Sequence, residues 1–157
     1  METEKDIFKN SYDAAILAIS VLKRLGCGKV NTFEQRLRSQ KTQYLAQSFG
    51  VSPKYPFNLY LRGPYSPSLA FDLFKIEEKG IPTRDCKFAS DELEDRFNQL
   101  KKFIGNKTTR QLELIATLHW FIKMVGLSPD QSKQKLVELK KASKEEVEFS
   151  FNSLKEI

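Results

Sequence analysis

Few residues of this chain could make or break bonds. Its single histidine, His119, sits in the run Leu112–Val125, which is apolar on most sides. A general base needs a partner that orients it, and no such partner stands at a recognisable spacing. His119 therefore reads as a core histidine with one hydrogen bond. An enzyme would need His119, Tyr60 and Tyr65 to converge in one pocket. Cys27 and Cys86 lie far apart, outside any C-x-x-C pair and beside no histidine. They read as ordinary thiols of a reducing compartment, and one histidine with two distant cysteines makes a poor metal site. Gly26 and Gly28 are followed by neither a third glycine nor Gly-Lys-Ser/Thr, so no phosphate loop is read. No serine or cysteine stands in a nucleophile motif. The acidic cluster Asp91, Glu92, Glu94 and Asp95 is accounted for by a helix dipole. The expectation is a protein without catalytic residues, cofactor or metal.

Binding chemistry is better represented. Tyr55, Phe57, Tyr60 and Tyr65 fall close together, flanked by Lys54 and Arg62. Aromatics interleaved with cations can stack on bases and pair with phosphates, or form a protein-binding hot spot; Phe57 itself reads as core. Between Lys23 and Arg62 there are eight basic residues and one acid, Glu34, a net +7 against +6 for the whole chain. Such a segment attracts acidic partners, nucleic acid or protein, unless acids from elsewhere fold over it.

The chain has 157 residues, 40% of them hydrophobic and twelve of them Phe, enough for one core without disulfides or metal. No stretch reaches the roughly 18 apolar residues of a membrane span. The acidic start Met1–Asp6 lacks a signal pattern, so a cytoplasmic protein is expected. The periodicity predicts a mainly α domain of about seven helices with a small β element. The first helix spans about Lys5 to Leu25, on a stripe from Phe8 and Tyr12 to Leu22. A second runs from an Asn31 or Thr32 cap to about Phe49, with Phe33, Leu37, Tyr44, Leu45 and Phe49 inward. Gln40 and Lys41 interrupt that stripe. Buried polar groups need partners, so Gln40 is expected to satisfy backbone carbonyls or another buried acceptor, and Lys41 to snorkel to solvent.

Phe57, Leu59 and Leu61 alternate with Asn58 and Tyr60 as a half-buried strand near 57–61. The tight turn Gly63-Pro64-Tyr65-Ser66 follows, with Tyr65 at its tip. Ser66-Pro67 opens a third helix to about Lys79, which buries Leu69, Leu73, Phe74 and Ile76. A second strand is allowed near 81–88, although Pro82 opposes a central position. A fourth helix begins near Ser90 or Asp91, with Glu94 completing a capping pattern. A fifth spans Thr109–Val125, and capping boxes at Ser128–Gln131 and Ser143–Glu146 open the last two. The element order also invites comparison with winged-helix domains, but Pro67–Lys79 carries more acids than bases.

The order Arg36, Gln40-Lys41, Tyr44-Leu45, Tyr60, Gly63-Pro64-Tyr65-Ser66 and Leu69 resembles the SocA-like, or Panacea, antitoxin domain, and more closely its YwgA-like relatives. Leu114–Trp120 is similar to a later helix of those proteins. Ser39 and Arg62 depart from the pattern, which usually has an apolar residue and an aromatic there. The resemblance implies a single helical domain over the whole chain and a protein partner, such as a toxin, bound as antitoxin or adaptor in toxin neutralisation or phage-related defence. It implies no catalytic residue. The expected binding residues are Arg36, Gln40, Lys41, Tyr60, Arg62, Gly63, Pro64, Tyr65 and Ser66. The alternative is a nucleic-acid-binding regulator acting through the basic segment 23–62.

Overall fold

The segment that is apolar on most sides becomes the centre of the protein. The computed structural model describes residues 11–82 and 88–157. Among them are seven α-helices and one two-stranded antiparallel sheet. The helices are α1 Ser11–Arg24, α2 Phe33–Ser48, α3 Pro67–Glu78, α4 Asp91–Ile104, α5 Thr109–His119, α6 Pro129–Lys140 and α7 Lys144–Leu154; the strands are β1 Asn58–Tyr60 and β2 Gly63–Tyr65. Helix α5 buries every residue from Leu112 to Leu118. It packs against α2, β2, α6 and α7. No helix among the described residues is long and apolar enough to cross a membrane.

Side-chain oxygens set most helix starts. Thr32, Thr108, Ser128 and Ser143 each complete a capping box with Gln35, Gln111, Gln131 and Glu146, which satisfies two orphan amides at each end. Ser66 caps α3 through Leu69 N–H, and Pro67 follows in the first helical position, where no donor is wasted. Ser90 caps α4. Glu94 does not complete that cap: its carboxylate accepts from Arg24 and from Phe88 N–H instead.

Three apolar clusters form the core. One joins α1, α2, α4 and α5 around Leu45, Phe97, Leu100 and Ile115. A second packs α1 on α3 through Ile19, Leu22, Leu69 and Leu73. A third packs α5 on α6 and α7 through Leu114, Leu118, Leu136 and Val147.

Several sequence expectations change here. The fifth helix does not stay α-helical to Val125: Trp120–Val125 is a π-helical turn, closed by Gly126 in the left-handed conformation. The partner of the first strand is Gly63–Tyr65. The second strand allowed near 81–88 falls largely on residues 83–87, which lie outside the described residues, as does Phe8 of the first helical stripe. The reversal precedes Gly63 rather than following it. Leu61 and Arg62 link the strands, with Tyr60 opposite Gly63, so they, not Tyr65, form the tip. Both keep negative φ, and Gly63 at φ +86° supplies the left-handed residue the hairpin needs after them.

Phe33, Leu61 and Phe74, each assigned by periodicity to a buried face, are 57%, 88% and 58% exposed. All three lie around one groove.

Candidate functional site

The expected site residues divide into a buried latch and an open groove. In the latch, Gln40, Lys41, Gly63, Pro64 and Ser66 are all buried. Gln40 exchanges two bonds with one residue: its Nε2 donates to Ser66 O at 3.0 Å, and its Oε1 accepts from Ser66 N–H at 2.9 Å. The carboxamide thus completes the strand end as a neighbouring peptide would, fulfilling the expectation that Gln40 satisfies a backbone carbonyl. Pro64 lacks a donor and is opposite Leu59, so that pair carries no ladder bond and its carbonyls face outward.

Lys41 takes the outward Pro64 carbonyl. It does not snorkel: it is 0% exposed, and its Nζ donates to Pro64 O. The hairpin supplies the acceptor, and α5 and α6 supply the charge balance. Glu113, 3% exposed, accepts from Lys140 Nζ at 2.7 Å, and Lys140 also donates to Leu61 O. Lys41 feels Glu113 and Lys140 electrostatically. One carboxylate therefore stabilises two ammonium groups that grip the hairpin on either side of Gly63.

Gly63, between the two gripped carbonyls, leaves no room for a side chain. A Cβ placed there would lie 2.5 Å from Thr117 Oγ1, 3.6 Å from Lys41 Nζ and 3.7 Å from Glu113 O. Thr117 cannot easily yield, because its hydroxyl donates to Glu113 O at 2.7 Å.

Burial lowers the Lys41 ammonium pKa from 10.5 to about 8; Glu113 raises it against that trend and Lys140 lowers it further. Between those values the unfolded chain binds more protons than the folded one, so this group makes stability rise with pH. The wild type should therefore gain on Lys41→Met between about pH 7.5 and pH 10 in urea unfolding. A stability difference that stays flat with pH contradicts a buried, charged Lys41.

Arg36, Tyr60, Arg62 and Tyr65 stand around the groove. It has a volume of about 840 Å³ and lies between the first two turns of α2, the hairpin and α3. Phe33, Leu37, Leu61, Leu73 and Phe74 give it apolar walls. Tyr60 and Tyr65 meet edge to face at 5.3 Å between centroids. Arg62 lies over the Phe33 ring at 5.7 Å, and Arg36 donates to Val30 O.

His119 does not line this groove. Its Nδ1 shares a 2.7 Å hydrogen bond with Tyr44 OH, and the rings meet edge to face. Burial, and after it Lys123, holds the imidazole pKa below its usual value. No family model, curated protein or solved structure matches the chain. The basic segment is also partly used internally: Lys41 is buried, Arg24 pairs with Glu94, and Arg38 donates to Lys107 O.

Sequence reasoning missed Glu113, Thr117 and Lys140. A glutamate inside the run Leu112-Glu113-Leu114-Ile115 was the available signal, since an acid in a fully buried helix needs a cationic partner. It also missed the groove walls, because periodicity reports that a residue suits burial and not whether anything covers it.

Proposed function

We propose that this chain is a non-enzymatic protein-interaction domain of antitoxin or adaptor type, acting in the cytoplasm, and that its protein partner docks in the groove beside the hairpin. One observation carries the reading. Phe33, Leu61 and Phe74, apolar residues in core-like sequence positions, remain exposed around a single concave site. Phe71 extends the apolar surface along α3. Contiguous exposed apolar surface rimmed by polar groups is characteristic of interaction sites. The latch supports the same reading, because a hairpin whose Pro64 and Leu61 carbonyls are held by Lys41 and Lys140 loses little freedom when bound. The resemblance of Arg36, Gln40-Lys41 and Gly63-Pro64-Tyr65-Ser66 to SocA-like domains points to the same class of function. A nucleic-acid role has weaker support, since Glu77 and Glu78 add negative charge to the groove that the aromatics line.

Photo-crosslinking tests this reading. A photoreactive residue in place of Leu61, introduced into the full chain in its native cells, should give one discrete protein adduct. The same residue in place of Leu139, exposed on α6, should not. Phe33→Ala with Phe74→Ala should remove the adduct. Adducts to nucleic acid, or none that depend on the groove, would refute the proposal.

A further inference from the structure

The groove carries opposite charges on different walls. Arg36 stands on α2 and Arg62 on the hairpin, whereas Glu77 and Glu78 stand on α3. Among the described residues neither arginine is in an ion pair. Arg36 uses one nitrogen on Val30 O, and Arg62 rests on Phe33, so both guanidinium groups keep donors for a carboxylate.

The backbone geometry bears on the shape of the occupant. Strand addition is disfavoured at β1, whose outward Leu59 N–H is already capped by Asn58 Oδ1 at 2.9 Å. With three residues, the edge is also short. The walls are better matched to a helix. Phe33, Arg36, Leu37 and Gln40 on α2 face the groove at helical spacing, as do Ala70, Leu73, Phe74, Glu77 and Glu78 on α3. Each series rises about 10–12 Å, close to two helical turns.

We propose that the occupant is an amphipathic helix of the partner protein. About two turns of it lie between α2, the hairpin and α3. Its apolar stripe meets Phe33, Leu61 and Phe74. Carboxylates on one flank meet Arg36 and Arg62, and basic residues on the other meet Glu77, beside which Glu78 already pairs with Lys75 at 3.4 Å. This inference rests on the protein-interaction reading above and specifies its partner. Anchors at i, i+3, i+4 and i+7 are how a helix fills such a groove, and the opposed charges fix which flank faces which wall.

The test is a display library of helix-forming peptides about 16 residues long, enough to hold a helix. It is selected against the full-length wild type and against the Arg36→Glu, Arg62→Glu double variant. Both arginines are exposed, so the double variant should keep the wild-type melting temperature, which calorimetry checks first. The wild type should enrich apolar residues at helical spacing with Asp or Glu on one flank. Those peptides should become helical on binding and lose about tenfold or more in affinity for the double variant. The double variant should instead enrich Lys or Arg on that flank.

Enrichment without acidic residues, binding in an extended form, equal affinity for both proteins, or no groove-dependent peptide would overturn the proposal. So would a dimer of the chain itself that the same substitutions dissolve, because a second copy would then be the occupant. If any of these occurs while Leu61 still crosslinks to another protein, only the helical partner is lost. If the crosslink fails as well, the interaction reading falls with it.

Discussion

Replacing Glu113 with Leu should destabilise the protein by about 3–5 kcal/mol, the usual consequence of removing one member of a buried charge network. Glu113 accepts directly from Lys140 and favours the charged form of Lys41. Without it, two ammonium groups are left in the interior with only the carbonyls of Pro64 and Leu61 as strong acceptors. Calorimetry should show a melting temperature about 10 °C lower, given that 1 kcal/mol corresponds to roughly 2–4 °C in a chain of this size. Adding Lys41→Met and Lys140→Met to Glu113→Leu should recover much of the loss, since an apolar replacement of a whole buried network is often neutral. A Glu113→Leu protein as stable as the wild type would mean that the lysines reach water in solution.

The second large effect is expected at Gly63. Alanine there combines a left-handed backbone angle of +86° with a Cβ 2.5 Å from Thr117 Oγ1. Left-handed strain costs about 1 kcal/mol, and overpacking a close contact adds about 1–3 kcal/mol. Gly63→Ala should therefore lose about 2–4 kcal/mol in urea unfolding. Thr117→Ala removes the obstructing hydroxyl, so in a double-mutant cycle it should reduce the cost of Gly63→Ala to near the backbone strain alone. Additive effects of the two substitutions would place the cost elsewhere.

The latch was half legible in the sequence. A polar pair breaking the α2 stripe at Gln40-Lys41 signalled a buried hydrogen bond, and Gln40 makes it with Ser66. The fate of Lys41 could not be read locally. Its acceptor lies on the hairpin, while its balancing carboxylate and the second lysine lie on α5 and α6. Snorkelling is the cheaper local solution for a lone lysine, and only the fold brings Glu113 within range. Helix starts were well marked because Ser or Thr with Gln or Glu three residues on is a local motif. The turn was displaced for a comparable reason. Gly63-Pro64 signals a reversal, but the glycine serves as the left-handed residue after the loop, so Leu61 and Arg62 occupy the tip. The groove was illegible as a groove: Phe33 and Phe74 satisfy helical periodicity whether or not a neighbour covers them.

The interior charges and Gly63 hold the hairpin in place, while Phe33, Leu61 and Phe74 form the exposed surface proposed for a partner. These two roles can be separated by one substitution at the tip. Leu61 is 88% exposed, and the hairpin bonds in which it takes part use its backbone carbonyl rather than its side chain. The decisive measurement is the affinity of Leu61→Asp for the protein captured at the groove, taken together with its melting temperature. The predicted result is stability within about 0.5 kcal/mol of wild type and binding weakened by about tenfold or more. Unchanged affinity in an intact Leu61→Asp protein would contradict the groove as the partner's docking site.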